Sequence, residues 1–563
     1  MERIIECVPN YSEGRNRAII DAIVAAISEV EGVKVLDVDP GEATNRTVVT
    51  FVGAPEPVCE AAFRGARKAQ ELIDMRQHHG AHPRSGATDV LPLIPVAGIT
   101  LEECAALAKG LAERLWKELG IPCYLYEAAA QTPERKNLAV CREGEYEALP
   151  EKMADPKRKP DFGGPWNDIV AKAGATNVGA RNFLVAVNFN LNTTSTRRAM
   201  AVAFDVREKG RKAREGGSLT GKLLKDAAGN QIWIPGTLKG CKAIGWYIDE
   251  YGIAQVSMNI TDIDATPLHV AYEEVTRAAA ARGLRVTGAE IVGLVPKKVL
   301  LDAGRFYLEK QERSLGISEA EIVKIAVKSM SLDDLKPFNP KEKVIEYLMD
   351  DGKKGLVDLT LEGFARETAS ESAAPGGGSV SAAMGAFGAA LATMVANLSA
   401  HKRGWDARWK EFSDVAEKGQ AILDRLLKLI DEDTAAFNRI MDCFSMPKGT
   451  DEEKAARAKA LEEASLYAAS VPLQTMEASL EALPLALEMA QKGNPASASD
   501  AGVAALAAVA GIKGARLNVR INCAGLQDKA PAEPLLARAD EIVKEAEALE
   551  GKVLEAVNNN IVL

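Results

Sequence analysis

The sequence predicts an α+β N-terminal half, built from two ferredoxin-like α/β subdomains, followed by an all-α helical-bundle domain. Strand and helix patterns alternate over about the first 330 residues, and the alternation ends at the proline-containing segment Leu335–Pro340. From Val344 onward nearly everything follows helical periodicity. A chain of 563 residues also exceeds what one hydrophobic core organises. The predicted domains are 1–180, 181–330 and 344–563, with a linker at 331–343.

In the first subdomain the patterns run β-α-β-β-α-β-α-β, an order that favours a ferredoxin-like layer over a doubly wound sheet. Strands show alternating or short continuous apolar runs, and helices show an apolar residue every three or four positions. The predicted strands are Ile4–Pro9, Val33–Asp39, Thr47–Gly53, Val90–Val96 and Pro122–Glu127. The predicted helices are Asn16–Val30, Glu56–Ile73 and Thr100–Leu119.

A second α/β layer of comparable size is predicted to follow. Between its first helix and its hairpin, the segment Glu215–Gly240 is rich in Gly and Lys, which indicates an excursion or a small hairpin. The predicted elements are strand Asn182–Asn190, helix Thr196–Lys209, hairpin Ala243–Thr261, helix Pro267–Arg282, strand Arg285–Leu294 and helix Lys297–Glu309.

Composition excludes several classes of protein. With 47% hydrophobic and 26% charged residues and a formal charge of −10, the chain is typical of soluble globular proteins and lacks a nucleic-acid-binding surface. Its eight cysteines occur singly, which indicates a reducing, cytoplasmic compartment. Two segments rich in Ala, Gly and Ser, Ser379–Ala400 and Ala501–Ile512, are expected to be buried bundle helices rather than membrane spans. The acidic residue in the N-terminal apolar run argues against a signal peptide.

Three of the five histidines, His78, His79 and His82, lie within five residues. An isolated loop histidine is most often a surface or turn-capping residue, but three together with Arg84 and Asp89 favour a functional loop. A zinc site is less favoured, because the His-x-x-His spacing has no third ligand at a conventional distance. We therefore predict acid–base catalysis by His82 and no metal, with His79 and Arg84 as binding residues.

Two further segments carry candidate binding residues. Asp39, Asn45 and Arg46 lie at a turn between two strands, where Asn and Arg can bond a carboxylate or the edge of a heterocycle; ordinary turn chemistry explains them equally well. A glycine-rich stretch before the second subdomain indicates either close backbone approach to a ligand or a simple linker. The candidates in that stretch are Gly163, Gly164, Gly174, Thr176 and Arg181.

In the helical domain, a glycine run precedes a long helix, whose free N–H groups would bind an anion. Plain helix capping is the alternative, and the absence of a Gly-Lys-Ser/Thr ending disfavours ATP. Asn518 and Asn522, four residues apart on another helix, would add polar groups at one end of the bundle. The candidates in the run are Gly376, Gly377, Gly378 and Ser379.

Asp433 is the most anomalous residue of this domain. It falls on the helical stripe formed by Leu426, Ile430, Asp433, Phe437, Ile440 and Phe444, whereas Asp431 lies off the stripe. A carboxylate in a core stripe is costly unless it is paired, protonated or in use. We predict a functional role for Asp433; a helix break or a buried salt bridge is the alternative.

Long motifs in both halves resemble known families. The helical-half motifs Ser372–Ser379 and Asp431–Phe437 resemble formimidoyltetrahydrofolate cyclodeaminase. Motifs of the first half resemble glutamate formimidoyltransferase: Cys7–Gly14, Asp39 with Thr44–Val48, His82–Arg84 with Asp89, Asp161–Gly163, Ile244–Tyr247 and Val292–Pro296. Taken in order over nearly the whole chain, the motifs resemble the bifunctional formimidoyltransferase–cyclodeaminase family.

This resemblance implies two folate reactions. The family's transferase histidine falls on His82, its cyclodeaminase aspartate on Asp433 and its folate-binding segment on about Gly163–Gly174. The implied co-substrate is tetrahydrofolate, expected to be polyglutamylated, and the implied assembly is a homo-oligomer such as a ring of dimers. Glu215–Gly240 is longer than expected from vertebrate members. Formimidoylglycine therefore stays open as an alternative donor to formimidoylglutamate, and a non-catalytic folate-binding protein is the competing class.

Overall fold

Strands and helices alternate through the first part of the computed structural model, which describes residues 3–41, 45–80, 83–217, 221–349, 352 and 354–561. The chain divides into two units. Unit 1 consists of Met1–Asp302 with Met330–Asp351, and unit 2 of Ala303–Ser329 with Gly352–Leu563. The α+β N-terminal half and the all-helical C-terminal region confirm the predicted fold class.

The first subdomain of unit 1 is a seven-stranded mixed sheet with the long helices on one face and two short helices, Leu138–Cys141 and Leu149–Ala154, against strand Cys123–Glu127 on the other. Its elements are β1 (Ile4–Cys7), β2 (Asn10–Tyr11), α1 (Arg17–Ser28), β3 (Val33–Gly41), β4 (Arg46–Gly53), α2 (Pro55–Leu72), β5 (Thr88–Ala97), α3 (Leu101–Leu119), β6 (Cys123–Glu127), α4 (Leu138–Cys141), α5 (Leu149–Ala154), α6 (Asp168–Ala173) and β7 (Thr176–Ala180). β1 and β2 both lie between β4 and β5, and β3 pairs with the other edge of β4. β7 continues the sheet parallel to both β5 and β6.

The helices α1–α3 cover one face of this sheet. Ile5 and Cys7 of β1, Phe51 of β4 and Leu93 of β5 point into the resulting core and are fully buried. Because side chains alternate along a strand, the neighbouring positions point to the other face. That face carries polar residues, and it holds the candidate site.

The second subdomain repeats the same strand order on a smaller scale. Its elements are β8 (Val185–Leu191), α7 (Thr196–Val206), β9 (Arg211–Lys212), β10 (Trp233–Ile234), β11 (Cys241–Ile248), β12 (Ile253–Ile260), α8 (Leu268–Ala280), β13 (Val286–Val292) and the first part of α9 (Lys297–Lys310), which belongs to unit 2 from Ala303 onward. The antiparallel order β11-β12-β8-β13 corresponds to β3-β4-β1-β5 of the first subdomain, and both are ferredoxin-like. The predicted excursion Glu215–Gly240 contains β10, which pairs with β9 just before the excursion begins.

From residue 319 onward the elements are helices. They are α10 (Glu319–Ser329), α11 (Pro340–Lys343), α12 (Ile345–Met349), α13 (Leu361–Thr368), α14 (Gly377–Ala400), α15 (Trp409–Ser445), α16 (Asp451–Lys492), α17 (Ala498–Gly525) and α18 (Ala532–Asn560). α14–α18 share one apolar core in unit 2. The segment predicted as a linker packs within unit 1, where Asp334 accepts a hydrogen bond from Asn190 at 3.0 Å and Lys343 accepts one from Val295 at 2.9 Å.

Small residues allow the long bundle helices to approach closely. A Cβ at Gly388 of α14 would lie 2.8 Å from the carbonyl oxygen of Ala504 on α17. Two helices, Gly377–Ala400 and Pro495–Gly525, are long and apolar enough to cross a membrane by length and composition. More than half of the most apolar window of each is buried inside the bundle.

Candidate functional site

Asn45, just before β4, is hydrogen-bonded to the loop that contains His78 and His79. Its backbone is in the left-handed region, with φ of 48°, a conformation that Asn tolerates better than most residues. The side-chain oxygen accepts a hydrogen bond from the N–H of Gly14 at 3.0 Å, and the side-chain nitrogen donates to the carbonyl of His79 at 3.1 Å. The predicted binding residue therefore already has structural partners on both polar atoms.

His78 is a structural histidine of the loop. It is 8% exposed, and burial lowers its pKa, which favours the neutral ring. Nε2 lies 2.9 Å from the carbonyl oxygen of Asn45, and Nδ1 lies 3.4 Å from Nε of Arg84. A ring protonated at Nε2 satisfies both contacts, since Nε2–H then donates and Nδ1 accepts. His79 is exposed, and His82 lies outside the described residues.

Arg84, predicted to bind a substrate carboxylate, is paired with carboxylates of the chain itself. Its guanidinium contacts both oxygens of Glu147, at 2.8 and 2.6 Å, and one oxygen of Glu145 at 3.0 Å. It also donates to the carbonyl of His78 at 3.3 Å. Such bidentate pairing fixes geometry strongly, so Arg84 positions the loop that precedes β5.

Arg46 belongs to a buried charge cluster centred on Asp89, a residue that sequence analysis noted but did not place in the site. Asp89 is fully buried and accepts hydrogen bonds from Arg46 at 2.6 Å, Arg142 at 2.5 Å and the N–H of Ser85 at 2.9 Å. Arg46 also donates to the side-chain oxygen of Asn10 at 2.9 Å. The cluster joins four distant parts of the sequence at the polar face of the sheet.

The glycine-rich stretch divides into two environments. Gly174 has φ of 69° and crosses Gly86 so closely that a Cβ at position 174 would lie 2.4 Å from Cα of Gly86. A Cβ at Gly163 would meet Pro160 at 2.4 Å, and one at Gly164 would meet Trp116 at 3.0 Å. These two glycines therefore lie beside the outer strand β6 and the helical face. Thr176 is buried at the start of β7.

The polar face of the first sheet also carries the predicted Arg181 and two residues, Glu6 and Asn177, that sequence reasoning missed. Glu6 is 4% exposed in the middle of the sheet, and Arg181 extends from the end of β7. Asn177 is fully buried and donates to the carbonyl of Asp89 at 2.9 Å, whereas its own side-chain oxygen has no partner among the described residues. Asp39, by contrast, lies exposed on the edge strand β3.

The second sheet has a polar face of its own. Gln255 and Asn190 are fully buried there and share a hydrogen bond of 2.8 Å, and Trp246 donates to Gln255 at 3.2 Å. Lys242, on the same face, is close enough to lower the pKa of Glu127 at the end of β6, although burial keeps that pKa raised overall. The polar face of the second sheet thus comes within electrostatic range of the first sheet.

In unit 2, Asp433 of α15 lies against the N-terminus of α14. The N–H of Ser379 donates to Oδ2 of Asp433 at 2.8 Å, and its hydroxyl lies 3.1 Å from the same oxygen. Burial raises the pKa of Asp433 above the ordinary aspartate range, while these hydrogen bonds oppose the rise. One of the N–H groups expected to bind an anion is therefore already used by a carboxylate of the chain.

Six of the sequence-predicted residues line one cavity of about 190 Å³. They are Gly376, Gly377, Gly378, Asp433, Asn518 and Asn522. Each asparagine donates to a backbone carbonyl, Asn518 to Gly514 at 3.0 Å and Asn522 to Ala468 at 2.7 Å. Their remaining amide atoms can serve a ligand.

The predicted core stripe of α15 is buried only at its N-terminal end. Leu426 and Ile430 belong to the bundle core, but Phe437 and Ile440 line the cavity and Phe444 is 50% exposed. The prediction that the whole stripe is core was wrong, because α14 begins beside Asp433 and does not cover the last turns of α15. Asp433 lies where the stripe changes from core to cavity.

Asp431, two residues earlier, has a different partner. Its Oδ1 accepts the N–H of Leu356 at 2.6 Å, so it anchors the segment before α13. Among the residues that the structure describes, no group of three or more His, Cys, Asp or Glu side chains could hold a metal ion.

Comparison with known proteins places the chain in a family. The formiminotransferase domain, N-terminal subdomain, matches residues 4–181, the formiminotransferase domain matches 186–350, and formiminotransferase-cyclodeaminase matches 360–541. A formimidoyltransferase-cyclodeaminase of Mus musculus is 44% identical over 556 residues, covering 98% of both chains. The chain belongs to the formimidoyltransferase-cyclodeaminase family.

Two further relatives each match one part of this family member. A glutamate formimidoyltransferase of Streptococcus pyogenes is 41% identical over 312 residues, which cover 55% of the chain and 95% of that protein. A methenyltetrahydrofolate cyclohydrolase of Methylorubrum extorquens is 41% identical over 202 residues, covering 36% of the chain and 97% of that protein. The first corresponds in extent to the α/β half and the second to the helical half.

Proposed function

We propose that the chain transfers the formimidoyl group of N-formimidoyl-L-glutamate to tetrahydrofolate and then cyclises the product to 5,10-methenyltetrahydrofolate, releasing ammonia. The bifunctional relatives support both reactions, and the relative of Streptococcus pyogenes supports formimidoylglutamate as the donor. The observation that carries the proposal is the convergence of six sequence-predicted residues, Asp433 among them, on one cavity. The half-buried carboxyl of Asp433 beside polar amides is suited to a proton transfer.

In the first reaction, N5 of tetrahydrofolate attacks the amidine carbon and forms a tetrahedral intermediate. The bond from that carbon to the glutamate nitrogen then breaks, and the proton lost by N5 is delivered to the departing amine. An amine leaving group needs this proton, and His82 is the proposed carrier, because histidine is the side chain whose ordinary pKa lies nearest neutrality. Arg181 is the proposed partner of a substrate carboxylate, since Arg84 is held by Glu145 and Glu147.

In the second reaction, N10 attacks the same carbon and ammonia leaves. The proton of N10 must reach the departing nitrogen, so the cationic amidine becomes the methenyl cation and neutral ammonia. Asp433 is the proposed carrier, because a carboxyl whose pKa is raised toward neutrality both accepts and returns a proton more readily. The glycine run at the start of α14 is the proposed contact for the folate.

A steady-state assay tests both reactions at once. The full chain is given tetrahydrofolate with either formimidoylglutamate or formimidoylglycine, and the absorbance of methenyltetrahydrofolate is followed. Formation from formimidoylglutamate is the expected result; formation only from the glycine derivative would change the donor. No turnover with either, together with measurable folate binding, would favour a non-catalytic folate-binding protein. Repeating the assay with mono- and pentaglutamyl folate tests the proposed polyglutamate preference.

The helical unit has a second candidate reaction. Its similarity to a methenyltetrahydrofolate cyclohydrolase suggests that water could act at the carbon where ammonia is expelled. Supplying methenyltetrahydrofolate and following its loss separates hydrolysis from cyclodeamination. Loss at a rate comparable with cyclodeamination, abolished by Asp433→Asn, would assign both reactions to one cavity.

We also propose that the chain is cytoplasmic and forms homo-oligomers. All eight cysteines are free thiols, as expected in a reducing compartment. Phe387 and Leu398 of α14 and Leu506 of α17, each about half exposed, form part of an apolar surface that a second copy would cover. Sedimentation velocity of the wild type and Phe387→Glu tests the assembly, since a charge at such an interface should dissociate it.

A further inference from the structure

Glu6 occupies the centre of the polar sheet face in unit 1. All four residues of β1 are buried, and Ile5 and Cys7 point into the helix-covered core. Glu6 therefore points to the opposite face. Its cross-strand neighbours there are Val52 of β4 and Ile94 of β5, so the acid lies between two apolar residues.

The Glu6 carboxyl is buried but has no direct partner. Among the residues that the structure describes, none donates a hydrogen bond to it, and the one cation that acts on it is Arg181. Its oxygens nevertheless keep some access to solvent. Burial outweighs the effect of Arg181 and raises the pKa of Glu6 to about 7. Buried carboxylates are normally paired with a cation or a hydrogen-bond donor. This carboxylate is therefore suited to bind a cationic group of a ligand.

Arg181 lies in the same row of the sheet. Ala180 pairs with Leu93 and Glu6 pairs with Ile94, so Arg181 follows beside Ile94, two strands away from Glu6. At the usual strand spacing the two backbones are about 10 Å apart. The face thus offers a carboxylate and a guanidinium from positions two strands apart, to which the oppositely charged ends of one small ligand can bind.

We propose that the Glu6 carboxylate binds the cationic amidinium of the formimidoyl donor, while Arg181 binds a carboxylate at the other end of the same molecule. This inference rests on the proposed transferase function. An amidinium is planar and presents two parallel N–H groups, which match the two oxygens of a carboxylate. The pair would keep the amidine protonated, and its carbon would stay electrophilic toward N5 of the folate. Glu6 is thus assigned to substrate binding, and His82 keeps the proton transfer.

Steady-state kinetics of the full chain tests the assignment with Glu6→Gln, which keeps the shape and removes the charge. The Michaelis constant for the donor should rise by at least about 30-fold, while that for tetrahydrofolate stays within a few-fold. Formamidine is the matched probe, because it carries the amidinium without the glutamate. It should inhibit the wild type competitively with the donor and should fail to inhibit Glu6→Gln.

Glu127→Gln is the control, because this carboxylate is also near Arg181 but is exposed at the end of β6. It should leave both Michaelis constants unchanged, and Glu6→Asp should restore part of the donor affinity. A rise in the tetrahydrofolate constant alone would overturn the assignment and place Glu6 against the pterin. An unchanged donor constant would also overturn it. If the wild type transfers no formimidoyl group, the proposed function fails; calorimetric binding of formamidine to wild type and Glu6→Gln then still tests the site.

Discussion

Ser379 holds the carboxylate of Asp433 with two groups, its backbone N–H at 2.8 Å and its hydroxyl at 3.1 Å, both on Oδ2. The other oxygen, Oδ1, is the atom closest to a Cβ built at Gly378. The carboxylate is thereby oriented, with one oxygen held by α14 and the other beside the glycine run that lines the cavity. Such fixed geometry is what a proton carrier requires.

Asp433→Asn should lower cyclodeaminase activity on supplied 5-formimidoyltetrahydrofolate by about 10²–10⁴-fold, since it removes the ionisable group and keeps the shape. Formimidoyl transfer should persist. The matched control is Asp431→Asn, which alters a carboxylate on the same helix that caps the N–H of Leu356. Separate assays of the two reactions check this, and equal losses in both variants would contradict a specific role for Asp433.

Gly378→Ala should inactivate the second reaction almost as fully. The new Cβ would lie 2.0 Å from Oδ1 of Asp433, so the carboxylate or the helix must move. Gly551→Ala provides the comparison, because a Cβ there meets nothing within 4 Å and the residue, on α18, does not line the cavity. Cyclodeaminase rates of the two alanine variants, with circular dichroism as a check of helix content, measure the effect. Similar rates would mean that the site tolerates displacement of Asp433.

His82→Ala should reduce formimidoyl transfer by about 10²–10⁴-fold, the usual range for a general acid–base residue. Cyclodeamination of supplied 5-formimidoyltetrahydrofolate should be unaffected in the same preparation. The exposed neighbour Gln77 offers a control substitution, Gln77→Ala. Near wild-type transfer by the histidine variant would remove His82 from the mechanism.

Glu6→Gln should stabilise the protein, with an effect that depends on pH. The folded-state pKa of about 7 lies above the ordinary 4.5, so the folded state holds this proton more tightly than the unfolded chain. The contribution of this proton to the free energy of unfolding is fully present below pH 4.5 and is lost as the pH rises to 7. At alkaline pH the wild type is therefore less stable by on the order of 3 kcal/mol.

The melting temperature of the α/β unit, measured in the full chain, checks this prediction. Glu6→Gln should melt above the wild type at pH 8 and close to it at pH 4.5. The ionisable groups that interact with Glu6, Arg181 and the buried thiol of Cys7, are present in both proteins. Their own contributions therefore cancel in the difference between the two melting temperatures. An equal difference at both pH values would mean that packing, and not ionisation, separates the two proteins.

Local periodicity predicted most of the architecture. The strand and helix order of both ferredoxin-like layers follows from patterns within ten to twenty residues. Asp433 was also identified from such a pattern, because a stripe along one helix involves only residues close in sequence. β7 (Thr176–Ala180) was missed, since its Thr-Asn-Val-Gly-Ala sequence lacks the bulky residues typical of strands. Gly179 is needed there because a Cβ would lie 2.6 Å from the ring of Tyr126.

The charge partners could not be predicted in the same way. Arg84 meets Glu145 and Glu147, more than sixty positions along the chain, and such pairing depends on the fold. Glu6 carried a faint signal, an acid inside an otherwise apolar strand. Its importance became visible only when both faces of β1 proved to be buried, which no single-strand pattern reveals.

The crossing of Gly86 and Gly174 restricts how this protein can evolve. A side chain at position 86 would meet the carbonyl oxygens of Ala173 and Ala175 at 2.7 and 2.5 Å, and one at position 174 would meet the carbonyl of Ser85 at 2.3 Å. Neither glycine can be replaced unless the backbone segment that it crosses moves. Lineages that adapt to a new donor must therefore do so with side chains elsewhere on the sheet faces, and both glycines should remain fixed among functional descendants.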